Sequence, residues 1–220
     1  HSELREIVLN EGLKTIGERA FYNNSYLKKI EIPSSVTEIG KDAFASCSDL
    51  SDITFKGSNT FLHGGAFNIS TGKINKMYED WLYDNSSDDF LIWQGQLIAY
   101  KGTGKTPVIP DTVSVIGAGV FRERDITKVT IPSSVQEIGD AAFYNCSSLS
   151  AVDVPGSVKR IDDSAFSGCS SMKSVTFHEG LEVIGDGSFR ECESLNRLDL
   201  PEGLTTLEDT AFYDCINIED

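Results

Sequence analysis

A fixed period constrains this chain more than any single residue does. The pair Ala20-Phe21 returns as Ala43-Phe44, Ala66-Phe67, Ala142-Phe143, Ala165-Phe166 and Ala211-Phe212, with Val120-Phe121 and Ser188-Phe189 as softened versions. Successive phenylalanines stand 23 residues apart, except for one interval of 22 and one of 54. The long interval leaves room for one more, degenerate copy and an insertion. The stretch from Leu27 to Leu50 displays the unit, L-x-x-I-x-I-P-x-x-V-x-x-I-G-x-x-A-F-x-x-C-x-x-L, whose last Leu opens the next copy. A period of about 20 to 50 residues marks a solenoid or another repeat array. In such arrays each unit contacts its neighbours and the core grows coil by coil. The expectation is therefore one continuous repeat domain over residues 1–220. Its repeats cover about 4–70 and 106–218, with an irregular interruption at 71–105.

Within a unit, I-x-I has period two and points two apolar side chains to one face of a strand. Pro33, Pro110, Pro132, Pro155 and Pro201 end that strand, because proline cannot continue a ladder. The V-x-x-I-G segment reads as the stretch that turns the chain inward again. Its glycines (Gly17, Gly40, Gly117, Gly139 and Gly185) mark a tight or positive-φ position. Parallel strands of neighbouring coils pair about 4.8 Å apart, which stacks equivalent residues into ladders. The interruption breaks this grammar with Trp81, Trp93 and an acidic run from Asp84 to Asp89. Its last part, LIWQGQLIAY from Leu91 to Tyr100, is two apolar runs around Gln94-Gly95-Gln96 and reads as a β-hairpin.

The full unit resembles the BspA-type leucine-rich repeat, also described as the Treponema pallidum type. That resemblance implies a right-handed leucine-rich-repeat horseshoe, mostly β. A parallel sheet would line its concave face, with short turns and 3-10 segments on the convex side. It also implies a bacterial cell-surface or secreted protein, several relatives being adhesins that bind host extracellular-matrix or plasma proteins. The repeat is under way at Leu4 and still running at Ile218 without a polar cap, so the sequence reads as part of a longer repeat protein.

Composition narrows the partners. The formal charge of −15 repels phosphate backbones and anionic lipid, so the expectation is no nucleic acid and no membrane insertion. The five cysteines all occupy one repeat position (Cys47, Cys146, Cys169, Cys192 and Cys215). Rung-stacked side chains run parallel, which disfavours a disulfide torsion. No C-x-x-C and no matching histidine supports zinc. They read as buried free thiols that act as small hydrophobes. The histidines (His1, His63 and His178) fall at unrelated phases and form no triad, so no enzyme, cofactor or metal is expected. Gly102-Thr103-Gly104-Lys105-Thr106 lacks the first glycine of a phosphate loop and runs into Pro107. Asp84, Ser86 and Asp88 begin a calcium loop without its central glycine and closing glutamate, and read as solvated. Asn-x-Ser sequons at Asn23, Asn68, Asn85 and Asn145 matter only in a glycosylating host.

Recognition then falls to the letters that the repeat leaves free. On the strand face these are Lys28, Lys29 and Glu31; Asp52 and Thr54; Lys128 and Thr130; Asp153; Lys173 and Thr176; and Arg197 and Asp199. Trp81 and Trp93 are a second candidate, since aromatics outside a repeat anchor partners or close a gap in a coil. The reading is a monomeric, non-enzymatic adhesion module, extracellular or at the cell surface, that binds proteins through the concave sheet. The alternative is a structural spacer that displays another domain.

Overall fold

The structure, a computed structural model, describes residues 4–57, 60–63, 66–67, 89–93 and 95–219, with only the backbone described at Trp93. The chain divides into two compact units, His1–Asn85 and Ser86–Asp220. Each is a solenoid of stacked parallel coils, and the described residues contain no helix.

One coil follows from its letters. In I-x-I, Ile30 and Ile32 are fully buried while Glu31 between them is half exposed. The proline then does more than end the strand. Its carbonyl accepts the N–H of the Val three residues on, as in Val36→Pro33 at 3.1 Å and Val135→Pro132 at 3.1 Å. This closes a β-turn. The V-x-x-I segment that follows is itself a two-residue strand, with Ile39, Ile116, Ile138, Ile161 and Ile184 buried inward. The letters alone predict a turn here. A two-residue strand shows one inward and one outward side chain, too few for a period to appear.

Unit 1 carries both sheets. Strands β1 (Glu6–Ile7), β3 (Lys29–Ile32) and β5 (Asp52–Phe55) pair in parallel, as do β2 (Thr15–Ile16), β4 (Glu38–Ile39) and β6 (Phe61–Leu62). In unit 2 the V-x-x-I sheet is the longer one. It begins with β7 (Phe90–Trp93) and β8 (Gln96–Tyr100), and continues through β9 (Val115–Ile116) and β10 (Glu137–Ile138). It then passes through β12 (Arg160–Ile161) and β14 (Val183–Ile184) to β15 (Thr206–Leu207). The I-x-I positions pair as strands only at β11 (Ala151–Val154) and β13 (Ser174–Phe177). Single bridges join Val108 to Thr130 and Ser174 to Arg197.

A third ladder runs along the A-F turn. The Phe N–H donates to the carbonyl of the small residue before the next Phe, for instance Phe143→Ala165 at 2.7 Å and Phe166→Ser188 at 2.7 Å. The residues two before and two after each Phe take part as well, as in Ala141→Asp163 at 2.9 Å and Asn145→Ser167 at 2.8 Å. To aim these N–H groups at the next coil, both positions adopt positive φ, 52° at Ala141 and 54° at Asn145. The glycine of I-G is needed for another reason. It lacks a positive φ, but a Cβ on Gly117 would stand 2.5 Å from the Leu97 carbonyl oxygen of the preceding rung. Of the two readings offered by the sequence, close approach is the one that applies.

Inside unit 2, Phe121, Phe143, Phe166, Phe189 and Phe212 stack face to face with centroids 4.9 to 5.2 Å apart, at the spacing of the coils. In unit 1, Phe21, Phe44 and Phe67 do the same. All five cysteines are free thiols. They are more than small hydrophobes, since each Sγ–H donates to the Phe carbonyl of the preceding coil. Examples are Cys146→Phe121 at 2.9 Å and Cys47→Phe21 at 3.1 Å. Asn24, at the same repeat position in the first copy, serves the Phe21 carbonyl through its amide at 2.8 Å.

Candidate binding face

The outward residues of the I-x-I strands are set by the inward ones. In unit 1, burial of Ile30 and Ile32 places Lys29 and Glu31 outward, and the register brings Lys29 opposite Asp52 and Glu31 opposite Thr54. These candidates form an ion-pair network. Lys29 Nζ lies 3.2 Å from Glu31 and 3.9 Å from Asp52, and Lys56 Nζ lies 3.0 Å from the other Glu31 oxygen. The hydrogen bonds from Lys56 and then Lys29 hold the Glu31 carboxyl below its ordinary value, and Glu31 in turn raises Lys29. Lys56 was not a sequence candidate. Its signal was available, because it stands where Pro33 stands one copy earlier, one rung away from Glu31. Lys28 is exposed, directly before β3.

In unit 2 the candidates spread over four coils. Asp153 and Thr176 are register partners on β11 and β13. His178 Nε2 stands 2.8 Å from Asp153 Oδ1, a partner that the sequence reading missed because the two lie one coil plus two residues apart. Arg197 donates through Nε to Asp199 at 2.7 Å, and this contact raises the arginine. Thr130 bridges to Val108, and both Thr130 and Lys128 are exposed. Lys173 is exposed beside β13. Among the described residues, no ion pair involves Lys28, Lys128 or Lys173. Between the coils of Lys128 and Lys173, Ser150 and Ala151 are both exposed.

Trp81, the acidic run at 84–88 and the sequons at Asn68 and Asn85 lie outside the described residues, as does the side chain of Trp93. The backbone of Trp93 closes β7, opposite Gln96. No cluster of three or more His, Cys, Asp or Glu side chains suited to a metal occurs among the described residues. No helix among them is long and apolar enough to cross a membrane.

Parallel pairing at the I-x-I, V-x-x-I and A-F positions, a stacked Phe column and outward rows free of the repeat define the class of protein: a solenoid of leucine-rich repeats. The particular family follows from the sequence match. The model of the BspA type leucine-rich repeat region matches residues 1–79 and 99–219 in six copies, and the chain belongs to that family. Among solved structures it is similar to a leucine-rich repeat protein from Eubacterium ventriosum, at 23% identity and a TM-score of 0.56, covering 95% of this chain and 70% of that one. It is also similar to one from Bacteroides ovatus, at 24% identity and a TM-score of 0.52, covering 94% of this chain and 52% of that one. The chain thus spans about half of the second relative's length. At these identities the likeness shows the fold alone. No curated protein matches the chain. None of these matches points to a catalytic family.

Proposed function

We propose that the chain is a non-enzymatic protein-binding module of a bacterial cell-surface or secreted protein, which holds a protein ligand against the outward rows of its I-x-I strands. The observation that carries this reading is the division of labour in each rung. Buried Val152 and Val154 fix the strand, while Ala151 and Asp153 between and beside them stay exposed and differ from coil to coil. Solenoids offer such rows as extended binding surfaces. The partner class best suited is an extracellular-matrix or plasma protein, in line with the family resemblance. A panel of such proteins, immobilised and probed with the full chain by surface plasmon resonance, tests the reading. Binding by the wild type, weakened at least tenfold by the triple change K28E/K128E/R197E with an unchanged thermal melt, is the expected result. A wild type that binds no member of the panel would favour a spacer.

The spacer reading has one observation of its own. On unit 1, Lys29, Glu31, Lys56 and Asp52 already satisfy one another, so a ligand there would have to displace an internal network.

A further inference from the structure

We infer that the ligand of the outward rows is a protein segment that seats one Asp or Glu side chain between Lys128 and Lys173, above Ser150 and Ala151. This rests on the binding-module reading and adds the chemistry of the contact.

Buried residues on either side build the place. Thr127-Lys128 stand between buried Ile126 and Val129, Ser150-Ala151 between Leu149 and Val152, and Lys173-Ser174 between Met172 and Val175. With both neighbours inward, each dipeptide faces out, and all of these residues but half-buried Thr127 are exposed. Ladder bonds hold the three coils in register. The Ser150 N–H donates to the Thr127 carbonyl at 3.2 Å, and the Lys173 N–H donates to the Ser150 carbonyl at 2.9 Å. Ala151 lies opposite Ser174 in the β11–β13 pair. The two lysines therefore stand two coil steps apart. The Phe rings of the same coils set those steps at 4.9 and 5.1 Å, so the lysine rungs are about 10 Å apart. Between them the middle coil offers only a hydroxymethyl and a methyl group.

Charge then selects the occupant. Other cations of unit 2 are matched by acids: Lys105 by Asp125 at 2.6 Å, Lys159 by Glu182 at 3.5 Å and Arg197 by Asp199 at 2.7 Å. Lys128 and Lys173 carry no such pair among the described residues. Asp153, the acid of the middle coil, is engaged by His178 at 2.8 Å. A lysine is a compact charge on a flexible stem with three donors, so two of them can close on one carboxylate without a fixed angle of approach. Polyanions are poor occupants, because a formal charge of −15 repels them. A single carboxylate on an otherwise neutral segment meets the local charge without that cost.

Nuclear magnetic resonance on the full, isotope-labelled chain tests this with two short peptides. One carries a single Glu among Gly and Ser, and the other carries Gln in its place. The expected result is saturable shifts of the Ser150, Ala151 and Ser174 amides with the Glu peptide and none with the Gln peptide. Affinity should fall roughly tenfold in K128Q/K173Q, the loss of two exposed ion pairs. Equal shifts with both peptides would overturn the inference, as would an unchanged affinity in K128Q/K173Q. Suppose instead that a matrix or plasma protein binds the wild type but responds neither to the Glu peptide as competitor nor to K128Q/K173Q. That result overturns the carboxylate seat and leaves the binding module standing. A protein panel without binders, beside a responding Glu peptide, sinks the adhesion reading and supports the seat.

Discussion

The Phe column of unit 2 makes a prediction whose size follows from position in the stack. Phe143 is fully buried and lies between two rings, with Phe121 and Phe166 each 4.9 Å away and within 5° of parallel. Truncation to alanine removes a buried aromatic side chain, which costs about 3–5 kcal/mol. The two stacked pairs contribute roughly 0.5–1.5 kcal/mol each beyond burial. Together they set the expected cost of Phe143→Ala at about 4–6 kcal/mol, since part of the stacking is already counted in the truncation. Phe143→Leu keeps most of the apolar volume and loses the stacking, so it should cost about 1–3 kcal/mol. Phe212 is half-buried and stacks on one described ring, Phe189, at 5.2 Å. Phe212→Ala should cost about 1–2 kcal/mol. Urea denaturation of the three variants, followed by circular dichroism, measures these differences. Equal costs at Phe143 and Phe212 would refute the column as the source of rung stability. A Phe143→Leu cost as large as that of Phe143→Ala would show that ring geometry, and not buried volume, carries the energy.

Ala141→Gly should stabilise the protein by about 0.5–1 kcal/mol, against the usual direction of glycine substitutions, because Ala141 holds φ at 52° where a Cβ is strained. A lower midpoint in urea would contradict the account of the A-F ladder. Burial pushes the Cys146 thiol from its ordinary 9.0 up to about 12. The folded state therefore keeps a proton that the unfolded state sheds. Its stabilising share is intact below pH 9 and is lost as the pH climbs toward 12. At pH 8 the native thiol should resist an aromatic disulfide reagent that labels it within minutes in urea, and rapid native labelling would show that the rung opens.

How far the fold could be read from the letters depended on whether a constraint fell on side chains or on the backbone. Ile30, Ile32, Phe44 and Cys47 repeat because each fills one place in a coil, and all four are fully buried. The positive-φ positions of the A-F turn left only a faint trace. Two residues before the Phe they are occupied by Arg19, Asp42, Ala141, Ser164 and Thr210, and by glycine at Gly119 and Gly187, since the inter-coil bond at Arg19, Gly119, Ala141, Ser164 and Gly187 uses a backbone N–H. For Gly117 and Gly139 the letters left a tight position and a positive φ open, and the limit is contact with the preceding rung. The β7–β8 hairpin was legible as a hairpin, but the place of Tyr100 beside the Phe column, 5.1 Å from Phe121, was not. Its one clue was Ala99-Tyr100, a small-aromatic pair 21 residues before Phe121 that falls outside the 23-residue period.

The outward rows were legible in part for a related reason. Period two says which residues point outward, and Lys29, Glu31 and Asp153 do occupy exposed or half-exposed strand positions, with Arg197 exposed at a single bridge. It cannot say which of them are already engaged, since partners one rung away are 23 to 25 residues distant in sequence, as with Glu31 and Lys56 or Asp153 and His178. Once those pairs are drawn, the candidates separate. Lys29, Glu31 and Asp52 on unit 1 and Arg197 and Asp199 on unit 2 are held by neighbours, and exposed pairs of this kind are worth little to stability. A ligand that used them would have to outcompete contacts already made. Lys128 and Lys173 have no ion-pair partner among the described residues and flank the coil of Ala151, which carries the smallest outward side chain of the candidate strands. A charge reversal at Lys128 therefore tests the proposed binding with little disturbance of the scaffold, and lost binding with an unchanged melt is the expected result.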